Sequence, residues 1–155
     1  MGSVLAQLEQ SGLATWIRES GVLYGYPLIL FLHTLGLGVL VGLNSAIDLR
    51  LLGVGSNIPL PSLEKIFLVM WAGLALNATT GSLLFIADAT RHASNPAFYV
   101  KLAFVALAIL TLVRIRKRVF LEYGNGKVLA AASLACWFVA LSAGRLMAYI
   151  FEFMA

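Results

Sequence analysis

The sequence predicts an all-α transmembrane four-helix bundle, and three observations predict it. Of 155 residues, 61% are hydrophobic and 12% charged, with a mean hydropathy of +0.92. That leaves too few polar side chains to cover a water-facing surface. The charges fall mostly between four long apolar runs, each long enough to cross the hydrocarbon layer as a helix. Four spans and their connections use nearly all of the chain, so 1–155 reads as one integral membrane domain with no room for a soluble catalytic domain.

Residues 4–19 read as an amphipathic helix. Leu5, Leu8, Leu13, Trp16 and Ile17 form an apolar stripe, while Gln7, Glu9, Gln10, Arg18 and Glu19 fall largely elsewhere. Such a helix lies in the membrane interface, with Trp16, Tyr24 and Tyr26 at headgroup level. No basic region precedes an apolar core at the N-terminus, so no cleavable signal peptide is expected. Span 1 covers 22–47; Pro27 near its outer end opens the main helix or kinks it, and Asp48 and Arg50 close it. The run Gly53-Val-Gly-Ser-Asn-Ile-Pro-Leu-Pro61 breaks helices. Span 2 covers 66–87 and is followed by Asp88, Arg91 and His92. Asn95-Pro96 supplies an N-cap and a first-turn proline for span 3, 97–113, which ends in Arg114, Arg116, Lys117 and Arg118. Gly124-Asn-Gly126 makes a turn, and span 4 covers 128–150. Spans 1 and 2 do not match spans 3 and 4 in motif, which argues against an inverted-repeat transporter.

Four spans put both termini on one side. In and beside the loops joining spans 1–2 and 3–4 stand seven basic residues (Arg50, Lys65, Arg114, Arg116, Lys117, Arg118, Lys127), against three on the other side (Arg18, Arg91, Lys101). The positive-inside rule then places both termini outside, periplasmic in a bacterial inner membrane. The net charge of +4 sits beside the spans, so it points to lipid headgroups and not to nucleic acid. A lone cysteine, Cys136, excludes an internal disulfide and cysteine metal clusters. There is no HExxH, phosphate-binding loop or GxSxG.

Few residues carry chemistry. His33, in Leu30-Phe-Leu-His-Thr-Leu-Gly36, is costly at membrane depth unless partnered. It is a candidate metal ligand, above all to haem iron, or a neutral imidazole bonding a neighbouring helix. Arg145 in Ser142-Ala-Gly-Arg-Leu-Met147 is the one permanent cation within a span. It is suited to a haem propionate or substrate anion, to snorkelling, or to pairing with Asp88. Asp88 and His92 are spaced to touch along one face, as a histidine-orienting pair or as an ordinary helix-end pair. By depth His33, Arg145, Asp88, His92 and Lys101 belong to the outer half, while Asn44 and Asp48 share the His33 face further in. Met147 rivals His92 as a second axial ligand. Gly38 and Gly42 form a small-xxx-small pair, Gly36 could make room for a flat macrocycle, and Asn77 and Thr80 read as interhelical hydrogen-bonding groups.

The strings Tyr26-Pro27, Leu32-His33-Thr34-Leu35-Gly36, Asp48-Leu-Arg-Leu-Leu-Gly53, Thr80-Gly-Ser-Leu-Leu-Phe85 and Asn95-Pro-Ala-Phe-Tyr-Val-Lys101 resemble an uncharacterised family of small bacterial four-span membrane proteins. More distantly the chain is similar to copper-resistance D proteins and HemJ-type protoporphyrinogen oxidases. That resemblance implies haem b ligation by His33, with Arg50 and Lys101 at matching positions. Together these readings give three expected roles. The first is a haem b-binding membrane subunit passing electrons near the periplasmic face. In it, His33 is an axial ligand, His92 or Met147 the second, and Arg145 and Lys101 meet the propionates. The second role is a cofactor-free structural subunit of a larger membrane complex or homo-oligomer, and the third is copper handling.

Overall fold

A computed structural model describes residues 2–122 and 124–154, with the side chains of 2, 3, 22, 23, 148 and 150–154 left aside. Among the described residues every regular element is helical: α1 Gly2–Glu9, α2 Gly12–Glu19, α3 Gly21–Tyr24, α4 Tyr26–Leu52, α5 Leu60–Leu63, α6 Ile66–Ala87, α7 Ala89–Ser94, α8 Pro96–Ile115 and α9 Lys127–Met154. A π-helical segment, Arg116–Leu121, prolongs α8. Four stretches are long and apolar enough to cross a bilayer: Tyr26–Leu52, Leu60–Ala87, Pro96–Leu121 and Lys127–Met147. Each carries large exposed apolar side chains, such as Phe31, Leu68, Leu102 and Phe138, which only lipid or another apolar surface accommodates at low cost. The fold class is the expected all-α four-helix bundle, and the chain is a multi-pass membrane protein.

Local chemistry shifts several expected boundaries. The helix expected over 4–19 is two helices, because Ser11 caps the second: its Oγ accepts from Ala14 N at 3.3 Å while its hydroxyl donates to Leu8 O at 2.6 Å. Pro27 does not kink span 1; it sits in the first turn of α4, where its missing N–H costs nothing. Asp48 does not close that span but lies within α4, which runs on to Leu52. There Gly53 at φ 107° and Gly55 at φ 66° turn the chain. Arg50 holds this turn by donating to Ile58 O at 2.7 Å and Ser56 O at 3.0 Å. The basic run after span 3 stays helical through Leu121.

Cα proximity groups the chain into two compact units. The first comprises residues 1–40 and 69–94. In it Arg18 donates to the C-terminal carbonyls of α6 (Ala87 O, 2.7 Å) and α1 (Glu9 O, 2.7 Å), a favourable place for a cation. The Glu9 carboxylate accepts from Thr90 N at 2.7 Å and Thr90 Oγ1 at 2.9 Å, so it caps the start of α7. Beneath these bonds Ile17, Ile29, Leu84 and Ala87 form a small core, so α2 is pinned to α4 and α6.

The second unit comprises 41–68 and 95–155. Asn95 caps α8 by accepting from Ala97 N at 2.9 Å, and its amide reaches Met147 O on α9 at 3.4 Å. Lys101 further along α8 lies against Gly144, so α8 and α9 run antiparallel. Phe67 meets Phe120 edge-on at 5.1 Å, with the Arg116 guanidinium 5.6 Å over the Phe67 ring. Gly126 begins the turn of α9: a Cβ there would collide with Val119 Cγ2, so the close approach requires glycine.

Candidate functional site

His33 is half-buried on α4, and its ring is held by α6. Nδ1 lies 3.1 Å from both Asn77 O and Thr80 Oγ1. The Thr80 hydroxyl donates to Leu76 O at 2.6 Å, so its oxygen is left to accept. Two neighbours of Nδ1 are therefore acceptors, while the Asn77 amide nitrogen, 3.3 Å away, is a donor; the two nearer acceptors favour a ring proton on Nδ1. Asn77 completes the grip, donating to His33 O at 2.9 Å, with its amide nitrogen 3.5 Å from Nε2. Asn77 and Thr80 are thus the interhelical groups that their sequence positions suggest.

Two glycines bring the helices this close. A Cβ on Gly36 would stand 3.0 Å from Asn77 N and from Gly73 O, and one on Gly73 would stand 3.1 Å from Gly36 O. The contact is backbone against backbone. A Cβ on Gly81 would come 3.0 Å from His33 Cε1, so the imidazole lies on the glycine surface of α6. The expectation that Gly36 makes room for a macrocycle is therefore corrected: α6 fills that space. Gly38 and Gly42 are expected to pack as a pair, yet a Cβ at either would meet nothing within 4 Å among the described residues.

His92, half-buried in α7, donates Nδ1–H to the backbone oxygen of Asp88 at 2.7 Å and tilts against Phe85 at 6.2 Å. The Asp88 carboxylate pairs instead with Arg91 at 3.6 Å. The two residues do meet, as their spacing suggests, but through the backbone, so the carboxylate does not orient the imidazole. A polar hollow beside them is lined by Glu9, Gln10, Arg18, Tyr26, Ala87, Asp88 and Arg91. Its two arginines face two carboxylates, Glu9 and Asp88, so the lining carries little net charge.

In the second unit Arg145 is exposed, with its guanidinium 5.6 Å over the ring of Tyr149 one turn along the same helix. This is how a snorkelling arginine packs. The Lys101 stem runs along Gly144, with Cδ 3.6 Å from the Cβ position, so its ammonium reaches the α9 turn that carries Arg145. Met147 is half-buried, and its carbonyl accepts from Asn95. Among the described residues no three His, Cys, Asp or Glu side chains gather as a metal site.

A second polar cluster is only half visible in the sequence. Asn44 Nδ2 donates to Asp48 Oδ2 at 2.6 Å and to Ser133 Oγ of α9 at 2.8 Å. All three residues are fully buried. Asn44 and Asp48 share a face by their four-residue spacing. Sequence reasoning misses Ser133, whose only signal is a hydroxyl inside the apolar run of span 4.

Haem b is the cofactor that His33 and the distant resemblance bring into question. One feature of the site fits it: a ring proton fixed on Nδ1 is how metal-bound histidines are oriented. The α6 side of His33 does not fit, because the glycine contacts leave no slot for a porphyrin there. No protein-family description matches the chain, and neither a curated protein nor a solved structure matches it.

Proposed function

We propose that this chain is a cofactor-free structural subunit of a membrane assembly, a four-span unit whose intramembrane histidine fastens two of its own helices together. The observation that carries this reading is the engagement of His33 by Asn77 and Thr80 over the glycine surface of α6. Hydrogen bonds of this kind between membrane helices contribute on the order of 1 kcal/mol each. The exposed Arg145 is compatible with the same reading, since its guanidinium packs over Tyr149 of its own helix. The positive-inside count favours the bacterial inner membrane with periplasmic termini, and the partner is another membrane subunit or a second copy of the chain.

The test is native mass spectrometry of the protein released from its own membranes in mild detergent, joined to an absorption spectrum. A stable larger assembly with no cofactor band is expected. A lone, coloured protein would overturn the proposal.

One observation favours the haem b reading as a second choice: an imidazole stands within a span, with Nδ1 3.1 Å from two oxygens of α6, as the outer nitrogen of a metal-binding histidine is held. In that reading His33 would hold the iron, and the bound group would supply one-electron chemistry. A Soret band lost in His33→Ala is its signature. Copper handling would show instead as stoichiometric copper on metal analysis.

A further inference from the structure

We propose that Asn44, Asp48 and Ser133 form an intramembrane binding site for one monovalent cation, a sodium ion or a proton. The three residues are fully buried, on α4 and α9. Asn44 Nδ2 uses both of its hydrogens, on Asp48 Oδ2 and on Ser133 Oγ. What is left over is oxygen. Asn44 Oδ1 and Asp48 Oδ1 are buried and have no hydrogen-bond partner among the described residues. Buried polar groups are nearly always satisfied, so two orphan acceptors in one cluster point to an occupant.

The occupant must be positive. The ion pairs among the described residues are Arg91–Asp88 and Lys117–Glu122, and neither touches Asp48. Among the described residues no Lys, Arg or His of α4 or α9 is paired with it. A carboxylate so enclosed demands a counter-charge, and a proton or a metal ion supplies one. A proton makes Asp48 a neutral acid, whose own hydroxyl becomes a donor. A sodium ion engages the orphan oxygens of Asn44 and Asp48, with the hydroxyl oxygen of Ser133 beside them, the oxygen-only donor set that hard cations take. Trp137, one turn along α9 from Ser133, is also buried, with an Nε1–H that lacks a partner among the described residues.

A purely structural role does not explain the acid. The Asn44–Ser133 bond alone would join α4 to α9; the carboxylate beside it has Oδ2 satisfied but leaves Oδ1 buried without a partner among the described residues. This inference is independent of the role proposed for His33.

The experiment uses the full chain in detergent. Thermal unfolding is followed as sodium chloride replaces choline chloride at fixed ionic strength, and again as pH is varied without sodium. Wild type, Asp48→Asn and Ser133→Ala are compared. If sodium is the ion, the wild-type midpoint rises with sodium and not with choline. At about ten times the dissociation constant the folded-to-unfolded ratio then gains about elevenfold. Asp48→Asn abolishes this response, and Ser133→Ala weakens binding about tenfold. If the proton is the ion, sodium has no effect, the midpoint responds to pH, and the infrared spectrum shows a protonated-acid carbonyl band that Asp48→Asn removes. Should Asp48→Asn fail to fold, retention of radioactive sodium and the acid band are read on wild type and Ser133→Ala. A wild type that retains no sodium, lacks the acid band and responds to sodium and pH as Asp48→Asn does would overturn the proposal.

Discussion

Around His33 the polar atoms of α4 find acceptors and donors on α6, whereas around Asp48 two buried oxygens find none among the described residues. Both clusters join two apolar helices with a single ionisable side chain at the centre. They differ in what surrounds that side chain. His33 rests on glycine backbone and has a hydroxyl and a carbonyl oxygen within 3.1 Å of its Nδ1. Asp48 has the Asn44 amide and the Ser133 hydroxyl beside it, one carboxylate oxygen without a partner, and no counter-charge among the described residues. The contrast separates a polar group bonded across to its neighbouring helix from one that keeps unpaired oxygens at the same kind of junction. Position in a span says only that both are expensive; the partner atoms say why each is kept.

The largest effect is expected where the first cluster has no slack. Gly36→Leu drives a side chain into α6 backbone and should cost at least about 3 kcal/mol, or prevent folding altogether. Gly38→Leu meets open space and should stay within about 0.5 kcal/mol. Equal losses in chemical unfolding of the two variants would break the account of the α4–α6 contact.

Next comes the histidine itself. His33→Ala should destabilise by about 1–3 kcal/mol, since it removes the ring contacts to Asn77 O and Thr80 Oγ1 and opens a cavity. A double-mutant cycle with Thr80→Val should show coupling on the order of 1 kcal/mol. Additive losses would mean that the imidazole does not act through α6. Asn95→Ala removes the buried cap of α8 and should cost about 1–2 kcal/mol, with hydrogen exchange rising first at the start of that helix. Asp88→Ala breaks only an exposed pair with Arg91 and should change the unfolding free energy by less than about 0.5 kcal/mol. A larger loss would show that the α6–α7 junction matters more than its exposure suggests.

Much of this architecture is legible in the amino-acid order alone. Hydropathy defines four spans because the bilayer leaves helices few alternatives, and span 2 falls on α6 residue for residue. Asn95-Pro96 marks the start of α8 by capping chemistry that is local. Asn77 and Thr80 are recognisable as bonding groups, since polar residues at that depth must bond something. Other features need the third dimension. The spacing of Gly38 and Gly42 draws attention, yet Gly36 makes the contact; a two-residue step turns a helix face by about 200°, so adjacent glycine patterns point opposite ways. The same limit hides Ser133, which lies 89 residues from Asn44. No local pattern announces which of several hydroxyls in apolar runs will be buried against a carboxamide. The break at Ser11 has a local signal, a serine before a glycine, but the apolar stripe running through it outweighs that signal.

The most direct measurement is the absorption spectrum of the purified full chain, produced in cells with ample haem. The account predicts a preparation without a Soret band in wild type and in His33→Gln alike. One haem per chain in wild type, lost in His33→Gln while the variant stays folded, would contradict it.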